Sequence, residues 1–192
     1  FIKPFFDEAD YITAMAENIK PFLNEAYDHI LFSYHGIPER HLKKTDDTKS
    51  HCMQVNDCCN VASPAHRKCY RHQCFTTTKL ITDALHIPKE KFSISFQSRL
   101  GKGWLQPFTD IRLEQMPKEG IKKLLILCPA FVSDCLETLE EIEERGKESF
   151  MEAGGTSYKM IPCLNTNALW VNTLEKWVKE TASPNPARML LK

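Results

Sequence analysis

No excess charge of either sign marks this sequence: Lys and Arg number 25, and so do Asp and Glu. With no run of basic residues interleaved with aromatics, the electrostatic footprint of a nucleic-acid binder is missing, and nucleic acid is not an expected partner. No stretch approaches the roughly 18 apolar residues that cross a bilayer. The opening FIKPFFDEAD has neither a charged n-region nor an apolar h-region, so it does not read as a secretion signal. Internal repeats are lacking too. What remains, 192 residues with 42% apolar and 26% charged side chains, is the balance of one globular domain with a substantial core. The first residue is Phe1 rather than Met and a helical pattern follows with no opening strand, which reads as a piece of a longer protein.

Ile12, Met15, Ile19, Phe22 and Leu23 recur at helical spacing over residues 8–26, with Pro21 as a kink. Four short apolar runs follow, at 29–34, 92–96, 124–128 and 158–161. They alternate with helical patterns at about 75–86, 109–117, 135–151 and 166–180, and Gly120 and Gly154-Gly155 stand where helices must stop. Continuous apolar strands joined by helices predict a doubly wound α/β fold, a four-stranded parallel sheet flanked by helices on both faces. Ligands of such sheets bind beyond the carboxyl ends of the strands. The tail from Ser183 onward looks frayed.

Those carboxyl ends hold the unusual residues. SYHGIPERH puts His35 after the first strand, exposed and able to titrate near neutral pH, although a loop histidine also serves as a local cap. CPAFVSDCLETLEEIEE follows the third. Read as an α-helix, it places Glu137, Glu141 and Glu144 on one face at i, i+4 and i+7, Asp134 one turn earlier, and Leu136, Leu139 and Ile142 as the opposing apolar stripe. Seven acids between 134 and 148 are more often a solvated face than a site. FQSRLGKGWLQPFTD sets Trp104 behind two glycines, where a planar side chain can cover a flat apolar ligand or plug the domain's own core.

Five of the eight cysteines fall between Cys52 and Cys74. The segment 45–70 has no apolar period and is longer than a compact connection requires, so it reads as a cysteine-rich loop insertion. In a chain of this size the crowding points to metal before disulfide. Four thiolates on one loop close a tetrahedral Zn(II) site or hold a [2Fe-2S] cluster, and spacing does not decide. His51, His66 and His72 are substitute ligands suited to zinc. Cys128 and Cys163, near strand ends, read as small core residues.

The strings LFSYHGIPER, SFQSRLGKGWLQP and CPAFVSDCLETLEEI, in this order and at these separations, resemble the C-terminal half of bacterial ferrochelatases. The likeness covers about residues 8–180 apart from the insertion. It implies that residues 1–192 form the C-terminal lobe of an enzyme that inserts Fe(II) into protoporphyrin IX, with the N-terminal lobe absent and required to complete the pocket. It further implies that His35 accepts a pyrrole proton or assists metal delivery, and that Glu137 is the opposing catalytic carboxylate. Glu141 and Glu144 would continue an acidic route for iron or protons, and Trp104, with Tyr34 and Ser98 beside it, would face the porphyrin. Cys135 departs from the pattern, standing where many relatives carry a second histidine. Because some ferrochelatases carry a [2Fe-2S] cluster, the resemblance favours that cluster over zinc, with Cys52, Cys58, Cys59 and Cys69 as ligands; Cys74 opens a helix start shared by relatives without one. The expected location is the cytoplasm, with peripheral contact to the inner membrane left open. Two other readings compete: a non-catalytic metal or redox-sensing domain whose function is the cysteine loop, and a chelatase that inserts cobalt into another tetrapyrrole.

Overall fold

A computed structural model describes residues 2–182. The chain opens with α1 (Ala9–Ile19), whose last turn tightens into a 3-10 segment, Lys20–Asn24, at Pro21. Then come β1 (His29–His35), α2 (Glu39–Thr45), α3 (Tyr70–Ala84), β2 (Phe92–Gln97), α4 (Thr109–Gln115) and β3 (Lys123–Leu127). A long helical stretch follows, made of α5 (Leu136–Thr138), a π-helical segment Leu139–Gly146 and α6 (Lys147–Glu152). β4 (Ser157–Met160) and α7 (Ala168–Ala182) complete the described chain.

All strand pairs are parallel, in the order β2-β1-β3-β4. The expected doubly wound α/β arrangement is therefore the one observed. β1 is central, and every residue from His29 to Tyr34 is buried, which is why its sequence is a continuous apolar run. The two faces nonetheless feed separate cores. Ile30, Phe32 and Tyr34 join Leu125 and Leu127 against α1, α3 and α7, while Leu31, Leu124 and Ile126 pack with Leu113, Ile142 and Phe150. Alternation along a strand allows no other outcome. The first core is sealed by an aromatic group in which Trp170 meets Trp177 edge-on at 5.6 Å and Phe5 meets Tyr11 at 5.3 Å.

The helical stretch after β3 differs from the expected single α-helix. Over eight residues its hydrogen bonding widens to the π form, a rare geometry that tends to mark functional sites. The stripe anticipated from α-helical spacing is broken accordingly: Ile142 is buried, but Leu136 is 72% exposed and Leu139 45%. The tail from Ser183 lies outside the described residues.

Candidate active site

The register of β1 with β2 pairs His35 with Gln97, so both strands end at the same level. Gly36 then turns the chain sharply. Its N–H donates to the Gln97 carbonyl at 2.8 Å, and a Cβ on Gly36 would lie 2.8 Å from that same oxygen and 3.4 Å from Cε3 of Trp104. Only glycine fits there. Trp104 is thus held against the turn that carries His35, an attachment reinforced by Glu39 N–H to Gly103 O and Leu105 N–H to Ile37 O.

His35 is half-buried. Its Nδ1 lies 2.6 Å from the Gly36 carbonyl, a contact that assigns the proton to Nδ1 in the neutral ring and leaves Nε2 with its lone pair. The ring stands 6.1 Å from Phe131, and the His35 carbonyl accepts a hydrogen bond from the Tyr70 hydroxyl at 2.9 Å. Glu137 sits in α5, its backbone carbonyl fixed by Gln97 Nε2 at 2.8 Å. A hydrogen bond from the Cys135 thiol, one from its own backbone N–H and the pull of His35 hold the Glu137 carboxyl below the ordinary carboxylate range. At this strand-end rim, Gln97 thus joins the end of β1, which carries His35, to the first turn of α5, which carries Glu137.

Glu141 also reaches this rim. Its carboxylate accepts from the Ser98 N–H at 2.7 Å and the Ser98 hydroxyl at 2.6 Å. The Ser98 backbone adopts φ 59°, a left-handed conformation uncommon for a non-glycine residue. Beside this clasp opens a cavity of about 580 Å³, lined among others by Gln97, Ser98, Arg99, Glu141 and Arg145. Glu144 is exposed on the π-helical segment. The i, i+7 alignment with Glu137 assumed α-helical turns, and the wider π turns displace it.

Tyr34, expected at the substrate, lies instead in the core. It is 2% exposed, and its hydroxyl bonds Thr78 Oγ1 at 2.8 Å. Strand alternation sends it to the face opposite His35. Sequence reasoning missed Gln97, a 2% exposed amide that also accepts from Ser33 Oγ at 2.8 Å. A glutamine ending an apolar strand was the available signal. Asp134 has a structural task, bonding Asn165 Nδ2, the Cys163 N–H and the Thr138 hydroxyl to hold the β3 and β4 exits together.

The cysteine loop lies between α2 and α3 and is organised by one carboxylate. Asp46, 1% exposed, accepts from Thr48 N and Oγ1 through one oxygen and from His51 N and Cys52 N through the other. Burial alone would raise its pKa, but these bonds outweigh it and hold the group well below the ordinary range. Cys52, Cys58, Cys59 and Cys69 are each at most 4% exposed. The Cys69 sulfur, at the amino end of α3, draws hydrogen bonds from the Cys59 thiol, from His72 and Arg71 N–H and from the Cys52 thiol, which lower its pKa. All eight cysteines are free thiols, and Cys74, Cys128 and Cys163 are buried.

The three histidines are occupied otherwise. His51 Nε2 and His66 Nε2 each lie 2.7 Å from the Cys58 carbonyl, His72 Nδ1 lies 2.9 Å from that of Cys59, and His66 stacks on His72 at 3.7 Å. Among the described residues no group of three or more His, Cys, Asp or Glu side chains stands in a metal-holding arrangement. The Cys52 and Cys59 thiols act on Cys69, and Cys58 on Cys52 and Cys59, without forming a finished ligand set.

Residues 1–182 match the family model described as Ferrochelatase. This chain belongs to the ferrochelatase family. It is 52% identical over 175 residues to the ferrochelatase of Pseudomonas entomophila (strain L48), an alignment covering 90% of this chain and 52% of that protein. It is 51% identical over 179 residues to the ferrochelatase of Opitutus terrae, covering 93% and 52%, and 49% identical over 175 residues to that of Pseudomonas fluorescens (strain Pf0-1), covering 90% and 51%. The chain thus spans about half the length of the curated ferrochelatases it matches. Among the described residues of this ferrochelatase-family chain, no helix is long and apolar enough to cross a membrane.

Proposed function

We propose that this chain is the C-terminal half of a ferrochelatase, a lyase of haem biosynthesis that inserts Fe(II) into protoporphyrin IX to give protohaem. One observation carries the reading: Gln97, paired in register with His35, holds the backbone carbonyl of Glu137, in a chain about half identical to curated ferrochelatases. Insertion requires two pyrrole N–H protons to leave while a desolvated dication enters. His35 Nε2, whose lone pair is spared by the Nδ1 contact, is suited to accept a proton, and Glu137, kept anionic, to neutralise the metal. Glu141 with Ser98 extends the acidic path away from the rim, with Glu144 at its solvent end.

Trp104 and the exposed Leu100 and Leu136 offer apolar surface to a flat macrocycle and to the N-terminal lobe, which supplies the remaining wall. The same leucines suit peripheral contact of a cytoplasmic enzyme with the inner membrane. The isolated 192 residues are accordingly expected to show little activity. On the cysteine loop, Cys52, Cys58, Cys59 and Cys69 would hold a [2Fe-2S] cluster. Since His51, His66 and His72 direct nitrogens at backbone carbonyls, an all-cysteine set is favoured over a mixed zinc site. Such a cluster supplies a one-electron redox centre; none of the proton or metal steps above passes through it.

The test is porphyrin metallation by the full-length protein, followed by loss of free-base porphyrin fluorescence. Chelation that disappears in His35→Ala and in Glu137→Ala while porphyrin still binds supports the reading. Chelation at the unmutated rate in both variants contradicts it.

A further inference from the structure

Ser33 on β1, Ser95 on β2 and Thr109 at the start of α4 are polar side chains set deep in the protein, each at most 1% exposed. A hydroxyl carries one hydrogen, so the bonds among them have a direction, and the end of the row fixes it. The Glu137 carbonyl can only accept. Gln97 therefore turns Nε2 towards it, donating at 2.8 Å, and presents Oε1 to the Ser33 hydroxyl, also at 2.8 Å. Since Ser33 uses its hydrogen on Gln97, Thr109 Oγ1, 2.8 Å away, must donate to Ser33. Ser95 Oγ, 2.8 Å from Thr109, must in turn donate to Thr109. The Cys128 thiol adds a second donor to Gln97 Oε1 at 3.4 Å. The hydrogen bonds thus run one way, from the interior of the sheet to the backbone of Glu137, through side chains shut away from water.

We infer that Gln97 is a positioning residue for the Glu137 carboxylate, held in its own orientation by the row of Ser33, Thr109 and Ser95. The inference rests on the reading of Glu137 as the group that neutralises the entering metal. Glu137 needs such a tie. It stands on a three-residue helical turn after an irregular passage, 128–135, and no strand pairing reaches it. Polar groups this deep cost stability unless they are bonded, and a fully bonded row specifies one arrangement. Because each bond in such a row polarises the next, the amide at its end is a stronger donor than an isolated glutamine. It bonds the backbone of Glu137 and leaves the carboxylate free, so it acts by where it holds that carboxylate.

The experiment is steady-state insertion of Fe(II) into protoporphyrin IX by the full-length protein, with kcat and the porphyrin KM separated and the thermal midpoint measured alongside. Gln97→Met keeps the volume and removes the donor. It is expected to lower kcat by about 10- to 100-fold with KM little changed, the cost of misplacing a reacting group. Ser33→Ala frees the amide but leaves its donor, and a smaller fall in kcat is expected. Tyr158→Phe is the comparison, because it removes another buried bond to the same helical stretch, from the Tyr158 hydroxyl to the Ile142 carbonyl at 2.6 Å. It is expected to lower the thermal midpoint and leave kcat unchanged. Should Gln97→Met fail to fold, Ser33→Ala carries the measurement. An unmutated kcat overturns the role of Gln97 if found in Gln97→Met, and the role of the row if found in Ser33→Ala. A Tyr158→Phe protein that loses kcat as far as Gln97→Met also overturns the inference, since the loss is then a general loosening of the stretch. Glu137→Ala chelating at the unmutated rate instead overturns the reading of Glu137, whatever the Gln97 variants do.

Discussion

The rim that carries His35 and the loop that carries Cys52 to Cys69 lie next to each other, yet they are built in opposite ways. Sheet register places His35 beside Gln97 at the strand ends, and the Gln97 side chain in turn holds the Glu137 carbonyl in α5. The loop has no strand, and its only regular piece is a 3-10 turn, Pro64–Lys68. It depends on one buried carboxylate, three histidines gripping two carbonyls, and the end of α3. A site on a sheet edge inherits the rigidity of the core, whereas a site in an irregular loop must supply its own order.

The largest effect that would sharpen this contrast lies at the rim. His35→Ala or Glu137→Ala in the full-length protein is expected to lower the initial rate of chelation by about 10²- to 10⁴-fold, the range for a lost acid–base group. Rates within threefold of the unmutated protein would break the assignment. Next is the loop. Asp46→Ala leaves the N–H groups of His51 and Cys52 without their acceptor, and on the proposed cluster reading the iron and sulfide content is expected to fall while the folded core, followed by far-ultraviolet circular dichroism, persists. Retained loading would show that the loop does not depend on this carboxylate.

Gly36→Ala comes third, since its Cβ would press on the Gln97 carbonyl. A cost of about 1–3 kcal/mol is expected for such an overpacked site, read as a lowered thermal midpoint together with slower chelation. An unchanged midpoint would mean that the rim yields more easily than its register implies. The smallest effect tests the bridge between the two regions. The Tyr70 hydroxyl, one residue beyond Cys69, donates to the His35 carbonyl. Tyr70→Phe removes one neutral hydrogen bond, worth about 1 kcal/mol, so a fall of several-fold in kcat is expected with KM little changed. No change in kcat would leave the two regions independent.

How legible each region was follows from the same difference. Strand runs such as HILFSY announce themselves because both faces of β1 are buried, and the positions of His35, Trp104 and Glu137 follow from where those runs end. Tyr34 was assigned to the site although its neighbour His35 faces the cleft; alternation along the strand sends it into the core. The π-helical segment could not be read from LEEIEERG, since a glutamate-rich pattern fits α and π turns alike, and so Glu144 was aligned with Glu137. α2 escaped notice because ERHLKKT buries only Leu42 and has no amphipathic period. In the loop, cysteine spacing pointed to a metal centre, but the Asp46 clamp, the histidine stack and the Arg71 contact are long-range choices of an irregular chain with no periodic signature.

The most direct test of the central claim is the crystal structure of the full-length protein with free-base porphyrin bound. The account predicts a macrocycle at the strand-end rim, its pyrrole nitrogens between His35 Nε2 and the Glu137 carboxylate, with Trp104 at its edge. A porphyrin seated elsewhere, with the His35 and Glu137 side chains opening onto different sides of the lobe, would contradict it.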